Sequence, residues 1–160
     1  MLKRLRRNYY RRLLGREAGD AFTDLECLLL PPPHGPSEVA KMLDWIHPMT
    51  PEDRLNAIRA KEMSLDLFAR REPAVAWITH KNRLMIKLER SKDKAQNTEL
   101  SPEERSELVG EIERTEPKFV AAVSQVEEIK AEILAVETEL TSILLELRPK
   151  YGQMPRRPTV

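Results

Sequence analysis

The run 119-FVAAVSQVEEIKAEILAVETELTSILLEL-147 decides the fold of this chain. Within it Phe119, Ala122, Val126, Ile129, Ile133, Val136, Leu140, Ile143 and Leu147 recur alternately three and four residues apart. An α-helix turns once in about 3.6 residues, so this spacing lays the apolar side chains in one stripe. A stripe this narrow and this long is the seam of a helix packed on another helix. On a strand, where neighbours point to opposite faces, the same residues would scatter over both sides. The strongest pattern in the chain is therefore one for association between helices.

Upstream, Leu108 and Ile112 continue the phase of the seam. Ser101-Pro102-Glu103-Glu104 opens the helix with a capping box and a proline in its first turn. Pro117 falls between Ile112 and Phe119 and predicts a kink or a break recapped by Thr115, the phase match across it favouring the kink. Arg148-Pro149 predicts the stop. Asn97-Thr98-Glu99-Leu100 reads as a turn, and residues 51–96 before it form a second helical arm. Thr50-Pro51-Glu52-Asp53 starts that arm with a cap, a proline and two acids on the helix dipole. Leu55, Ile58, Leu65 and Phe68 supply its buried face. Pro73 is expected to interrupt it, and Trp77, Leu84, Leu88 and Ala95 resume the phase.

Two arms of similar length joined by a short turn predict an antiparallel, coiled-coil-like hairpin over residues 51–148, turning near 97–101. Residues 51–96 carry eleven basic and seven acidic side chains, whereas 102–148 carry five and twelve. Opposite net charge orients the arms. Exposed ion pairs are worth only about 0–1 kcal/mol each, so the apolar seam does the holding. Val75, Ile78 and Ile86 on one arm, with Val120, Val123, Leu134, Leu144 and Leu145 on the other, exceed what two helices cover. The N-terminal helices of this chain or another protein are expected to cover that surplus.

The flanking segments are of a different kind. Residues 1–16 hold seven basic side chains and no acid, within a basic amphipathic segment and short helix over residues 1–30. On a helical wheel Leu2, Leu5, Tyr9 and Leu13 share one face and Arg4, Arg7 and Arg11 lie opposite, the pattern of a mitochondrial targeting segment. Arg7-Asn8-Tyr9 also looks like the Arg-x-Tyr pattern that precedes processing sites. Serine and threonine are absent from the stretch, which favours an address that stays attached and becomes ordered against a partner. Gly15 and Gly19 are expected to loosen the chain before Asp20 caps an apolar helix through Phe22, Leu25, Leu28 and Leu29. Pro31-Pro32-Pro33-His34-Gly35-Pro36 opens a proline-rich linker over residues 31–50. Within it Ser37 caps a short helix carrying Val39, Met42, Leu43 and Ile46. Residues 149–160 form a basic, proline-rich tail with no core of its own.

Composition narrows the chemistry. With 33% charged residues, 5% aromatic residues and five glycines in 160 residues, an all-α chain of one domain is favoured. The single Cys27 supports neither a disulfide framework nor a thiolate cluster, and its apolar neighbours predict a buried, inert thiol. His34, His47 and His80 are scattered, with no metal-ligand spacing. Neither a glycine-rich phosphate loop nor a Gly-x-Ser-x-Gly elbow is present. The carboxylates recur at the spacing of a solvated helix face. We therefore expect no catalytic residue, no cofactor and no metal. No apolar run approaches the roughly 20 residues of a membrane-spanning helix.

Tyr9-Tyr10-Arg11-Arg12-Leu13-Leu14 is similar to the Leu-Tyr-Arg signature of the small helical mitochondrial LYR-motif proteins. Those serve as accessory subunits or assembly factors of respiratory complexes, some of them bound to acyl carrier protein. The match covers six residues, Tyr9 stands where the signature has leucine, and a three-proline block follows where that family continues into a compact three-helix fold. The resemblance implies a mitochondrial setting.

The expected fold is all-α: short N-terminal helices, a long antiparallel helical hairpin and extended termini. The expected function is that of a non-catalytic accessory or scaffold subunit of a large mitochondrial assembly, first a respiratory-chain or ATP-synthase complex. Its place would be the matrix or the matrix side of the inner membrane, with contact to the membrane surface. The protein-partner interface is assigned to Leu5, Tyr9, Leu13, Phe119, Val126, Ile129, Ile133, Val136, Leu140, Ile143 and Leu147. Contact with RNA or another anion is assigned to Arg4, Arg7, Arg11, Arg156 and Arg157. A peripheral mitochondrial ribosomal protein that holds RNA through its basic ends is the alternative reading. A homodimeric coiled-coil adaptor is the third.

Overall fold

The computed structural model describes residues 2–156. Among these the chain is all-helical, with α1 (Leu2–Leu14), α2 (Arg16–Leu29), α3 (Pro36–Ile46), α4 (Pro51–Ala95) and α5 (Pro102–Tyr151), and no strand. It divides into two compact units: unit 1 from residues 1–67 and 136–160, and unit 2 from residues 68–135. Arg157 lies outside the described residues.

Unit 1 begins with a reversal at one residue. Gly15 joins α1 to α2 with φ 89° and ψ 167°, a backbone conformation closed to residues with a Cβ. Gly19 does not loosen the chain as expected but lies inside α2. A Cβ there would stand 2.5 Å from the Arg11 amide nitrogen and 2.6 Å from the Tyr10 carbonyl carbon, so glycine marks the point of closest approach. The helix starts four residues before the expected Asp20 cap, because the Asp20 carboxylate is taken by Arg11. Arg11 donates from Nε and Nη2 to its two oxygens at 2.7 and 2.9 Å. Further along, the buried Tyr10 hydroxyl donates to Glu26 Oε1 at 2.9 Å, and its ring packs edge-on against Phe22.

The core of unit 1 gathers Leu14, Phe22, Leu25, Leu29, Met42, Ile46, Ile58 and Leu147, all fully buried. Each such side chain contributes roughly 1.5–3 kcal/mol of burial. Leu28, expected in this core, is exposed, and Cys27 is exposed rather than buried. α3 starts at Pro36 after Gly35, one residue ahead of the expected Ser37 cap, because proline's fixed φ suits the first helical position. Arg54 on α4 then ties helix ends together. Its guanidinium donates to the carbonyls of Leu14 at 2.9 Å, His47 at 2.6 Å and Ile46 at 3.4 Å, at the ends of α1 and α3 where helix carbonyls lack intrahelical partners. The Ile46 carbonyl also accepts from Met49 N–H at 3.1 Å.

α5 runs past Pro149, where a stop was expected, and ends at Gly152 with φ 76°. The last turn is held by Gly152 N–H to the Arg148 carbonyl at 3.0 Å and by Trp45 Nε1–H to the Tyr151 carbonyl at 3.1 Å. The Tyr151 hydroxyl donates to Asp53 Oδ2 at 2.8 Å. That bond, ahead of the opposing effect of burial and with help from Lys150 and Thr50, holds the Asp53 carboxyl below the usual range.

Unit 2 consists of the later part of α4 and the earlier part of α5. Pro73 does not interrupt α4, and α5 continues through Pro117. Both prolines are exposed, as are Ala69 and Glu113, whose carbonyls lose the proline's missing N–H but remain open to water. The turn after α4 ends in the expected capping box: Ser101 N–H to Glu104 Oε2 at 2.8 Å and Glu104 N–H to Ser101 Oγ at 3.2 Å. Arg70 pairs with Glu132 at 2.6 Å, Lys87 with Glu111 at 2.9 Å and Lys92 with Glu116 at 2.9 Å. Leu88, Ser91, Thr115, Ala122 and Val126 are the buried residues of this unit.

Candidate interaction surfaces

α1 turns Tyr10 and Leu14, flanked by Arg7 and Arg11, inward and leaves most of its assigned apolar face outward beside Arg4 and Arg12. Leu2, Leu5 and Tyr9 are 72%, 61% and 58% exposed. Facing α2 instead are Arg7 and Arg11, both drawn to Asp20, and Arg6, 3.7 Å from Glu26. Lys3 pairs with Asp24 at 3.5 Å. The Asp20 carboxyl sits below the ordinary range, chiefly through its hydrogen bond from Arg11. Acids on one side of α2 therefore line the edge of the face that Tyr10 and Leu14 bury. Leu13 alone of the assigned trio packs against the core of unit 1. Arg4 and Arg12 are exposed and carry none of the ion pairs seen among the described residues.

The seam residues are all covered within the chain. In unit 2, Ala122 and Val126 are buried and Phe119, Ile129 and Ile133 are half-buried. In unit 1, Leu147 is buried and Val136, Leu140 and Ile143 are half-buried, Ile143 against the core. What remains open lies beside the seam. On α4 of unit 2 the covered positions include Ala74, Lys81, Leu84, Leu88, Ser91 and Ala95, while Val75, Ile78, Met85 and Ile86 are exposed. On α5 the exposed apolar residues of this unit are Val109, Val120 and Leu134, each one residue beyond a covered seam position.

Two features of unit 1 escaped the sequence reading. Lys61, 4% exposed, donates to Glu38 Oε1 and to the Pro155 carbonyl, both at 3.2 Å. His34 Nδ1 meets the other Glu38 oxygen at 2.6 Å. Burial pushes the Glu38 carboxyl up, but the hydrogen bonds from His34 and Lys61 outweigh it and leave the group below its ordinary value. A signal existed: Lys61 continues the apolar phase of Ala57 and Ile58, where a cation is out of place. Met154 packs on the same core, so residues 152–156 are anchored rather than loose. Arg156 is exposed and joins Arg148, Leu144, Leu145 and Met154 around a shallow groove of about 210 Å³.

Among the described residues no cluster of histidine, cysteine or carboxylate side chains is disposed to hold a metal, and no helix is long and apolar enough to cross a membrane. No family model, curated protein or solved structure matches this chain.

Proposed function

We propose that this chain is a non-catalytic accessory or scaffold subunit of a large mitochondrial assembly, foremost a respiratory-chain or ATP-synthase complex, working by helix–helix packing at the matrix side of the inner membrane. Its long helices make an antiparallel hairpin, and its basic N-terminus is helical from Leu2 rather than extended as expected. Two ion pairs of unit 2 support the hairpin: from Arg70–Glu132 to Lys87–Glu111 the residue number rises by 17 on α4 and falls by 21 on α5. The observation that carries the function is the outward apolar face of α1. A helix that turns arginines toward acids of its own chain and leaves Leu2, Leu5 and Tyr9 in water has its contact surface on the outside.

The test is incorporation of a tagged chain into large particles. Replacing Leu2, Leu5 and Tyr9 by serine should release the subunit from its assembly while its helical content stays unchanged. Replacing Arg4 and Arg12 by glutamine should weaken incorporation less. If the arginine pair dominates, and co-purifying ribosomal RNA is lost steeply with salt, the chain is instead a ribosomal protein held through phosphate contacts. Arg7 and Arg11, both engaged with Asp20, are poor candidates for such contacts.

A further inference from the structure

We infer that unit 2 carries a second apolar face, beside the seam, and that its occupant is a second copy of this chain. The inference rests on the hairpin reading above. Successive residues turn about 100° around a helix axis. Val75, Ile78 and Met85 lie one residue beyond the α4 positions that face the seam, and Val109, Val120 and Val123 one beyond those of α5. Both sets are therefore displaced from the contact by the same rotation. Because the helices run in opposite directions, that rotation carries both sets to the same side. The result is one face shared by the two helices, on which apolar side chains stand among charged ones such as Glu89 and Glu116, with Val75 and Val120 62% and 58% exposed.

Size and charge identify the occupant. The α4 part of unit 2, residues 68–95, is roughly 42 Å long, and two helices side by side are about 20 Å wide. A face of roughly 800 Å² is what each partner of a stable dimer contributes. Residues 68–95 carry eight basic and three acidic side chains, and 102–135 carry four and nine, so the two halves of the face bear net charges of +5 and −5. A foreign helix of one sign would be drawn to one half and repelled by the other. A second copy turned by 180° about an axis along the helices sets each α4 across from the partner's α5. Basic then meets acidic in both contacts, in the antiparallel sense already used within one chain. The product is a four-helix bundle with a two-fold axis, an isologous contact that closes on itself.

Sedimentation equilibrium and zero-length cross-linking of the full chain test this together. The wild-type chain should be a dimer at micromolar concentration. The double variant Ile78→Glu, Val120→Glu should be a monomer, its dimer affinity reduced at least a hundredfold, with unchanged far-ultraviolet circular dichroism. In mixtures of isotopically light and heavy wild-type chains, the Lys87–Glu111 cross-link should form within one chain, and light-to-heavy links should join α4 peptides to α5 peptides. This measurement stands even if the double variant fails to fold. An intrachain Lys87–Glu111 link in a chain that stays monomeric at 100 µM would overturn the second copy and leave the hairpin intact. Light-to-heavy links confined to α4–α4 or α5–α5 pairs would overturn it as well. Absence of the intrachain link would remove the hairpin and this inference with it.

Discussion

Gly19→Ala separates helix propensity from packing, because the two predict opposite signs. In an isolated helix, alanine is favoured over glycine by about 1 kcal/mol. In this fold the new Cβ would lie 2.5–2.6 Å from backbone atoms of Arg11 and Tyr10, which cannot swing aside as a side-chain tip could. Restoring an ordinary contact requires α1 to move off α2 by close to 1 Å. The Tyr10–Glu26 hydrogen bond, 2.9 Å long, would then stretch beyond its useful range. Overpacking costs about 1–3 kcal/mol, and a buried hydrogen bond to a charged acceptor adds about 1.5–3. After subtracting the propensity gain we expect a net loss of about 1.5–5 kcal/mol. Urea unfolding would be followed by Trp45 fluorescence in a Trp77→Phe background, so that the signal reports unit 1. Gly110→Ala is the matched control: its Cβ meets nothing within 4 Å, and it should stabilise the chain by about 0.5–1 kcal/mol. A Gly19→Ala midpoint at or above that of the parent would refute the close approach of α1 and α2.

Pro73→Ala should stabilise α4 by up to about 3 kcal/mol, read as a higher melting temperature of the full chain, since the proline is exposed and only withholds a hydrogen bond. Glu38→Gln should destabilise unit 1 at neutral pH by about 3–5 kcal/mol because Lys61 stays buried without its counter-charge, and Glu38→Leu with Lys61→Met should recover most of the loss in urea titrations. The Glu38 carboxyl titrates below its unfolded value, so its contribution is complete above about pH 4.5 and disappears as pH falls through the folded value; the Gln variant should lack this acid limb in melts from pH 7 to pH 3. Glu62 behaves oppositely: burial, then repulsion from Asp24, raises its carboxyl, so Glu62→Gln should raise the melting temperature at pH 7, and the gain should vanish once the pH is low enough to protonate the parent in both states.

Much of the helical content was legible, because it depends on local signals. The heptad spacing around Val126 and Ile133, the Thr50 and Ser101 caps and the turn after Ala95 each depend on a few neighbouring residues. What was not legible depends on residues far apart in sequence. The wheel of residues 1–14 sets Leu2, Leu5, Tyr9 and Leu13 apart from Arg4, Arg7 and Arg11, yet the buried side is that of Tyr10 and Leu14, where Asp20 and Glu26 of α2 also meet Arg7, Arg11 and Arg6. Gly19 reads as a helix breaker until Arg11 is placed beside it. Pro73 reads as an interruption because propensity counts the lost hydrogen bond but not the exposed carbonyl that water can satisfy. Arg54 carries no local mark of its role, since the three carbonyls it serves come from α1 and from the end of α3.

The way unit 1 is assembled has a consequence for the order in which the chain can fold. Its two pieces, residues 1–67 and 136–160, are separated by the 68 residues of unit 2. Leu147, Tyr151 and Pro155 each complete contacts begun by the first piece. Until the second piece is in place, the part of the core that Leu147 completes stays open. Bringing the two pieces together across an unstructured stretch of 68 residues would cost about 4 kcal/mol of loop-closure entropy before any contact forms. Once Arg70 pairs with Glu132, most of that loop is already closed. Closing unit 2 before unit 1 therefore lowers the entropy cost of bringing the two ends of the chain together.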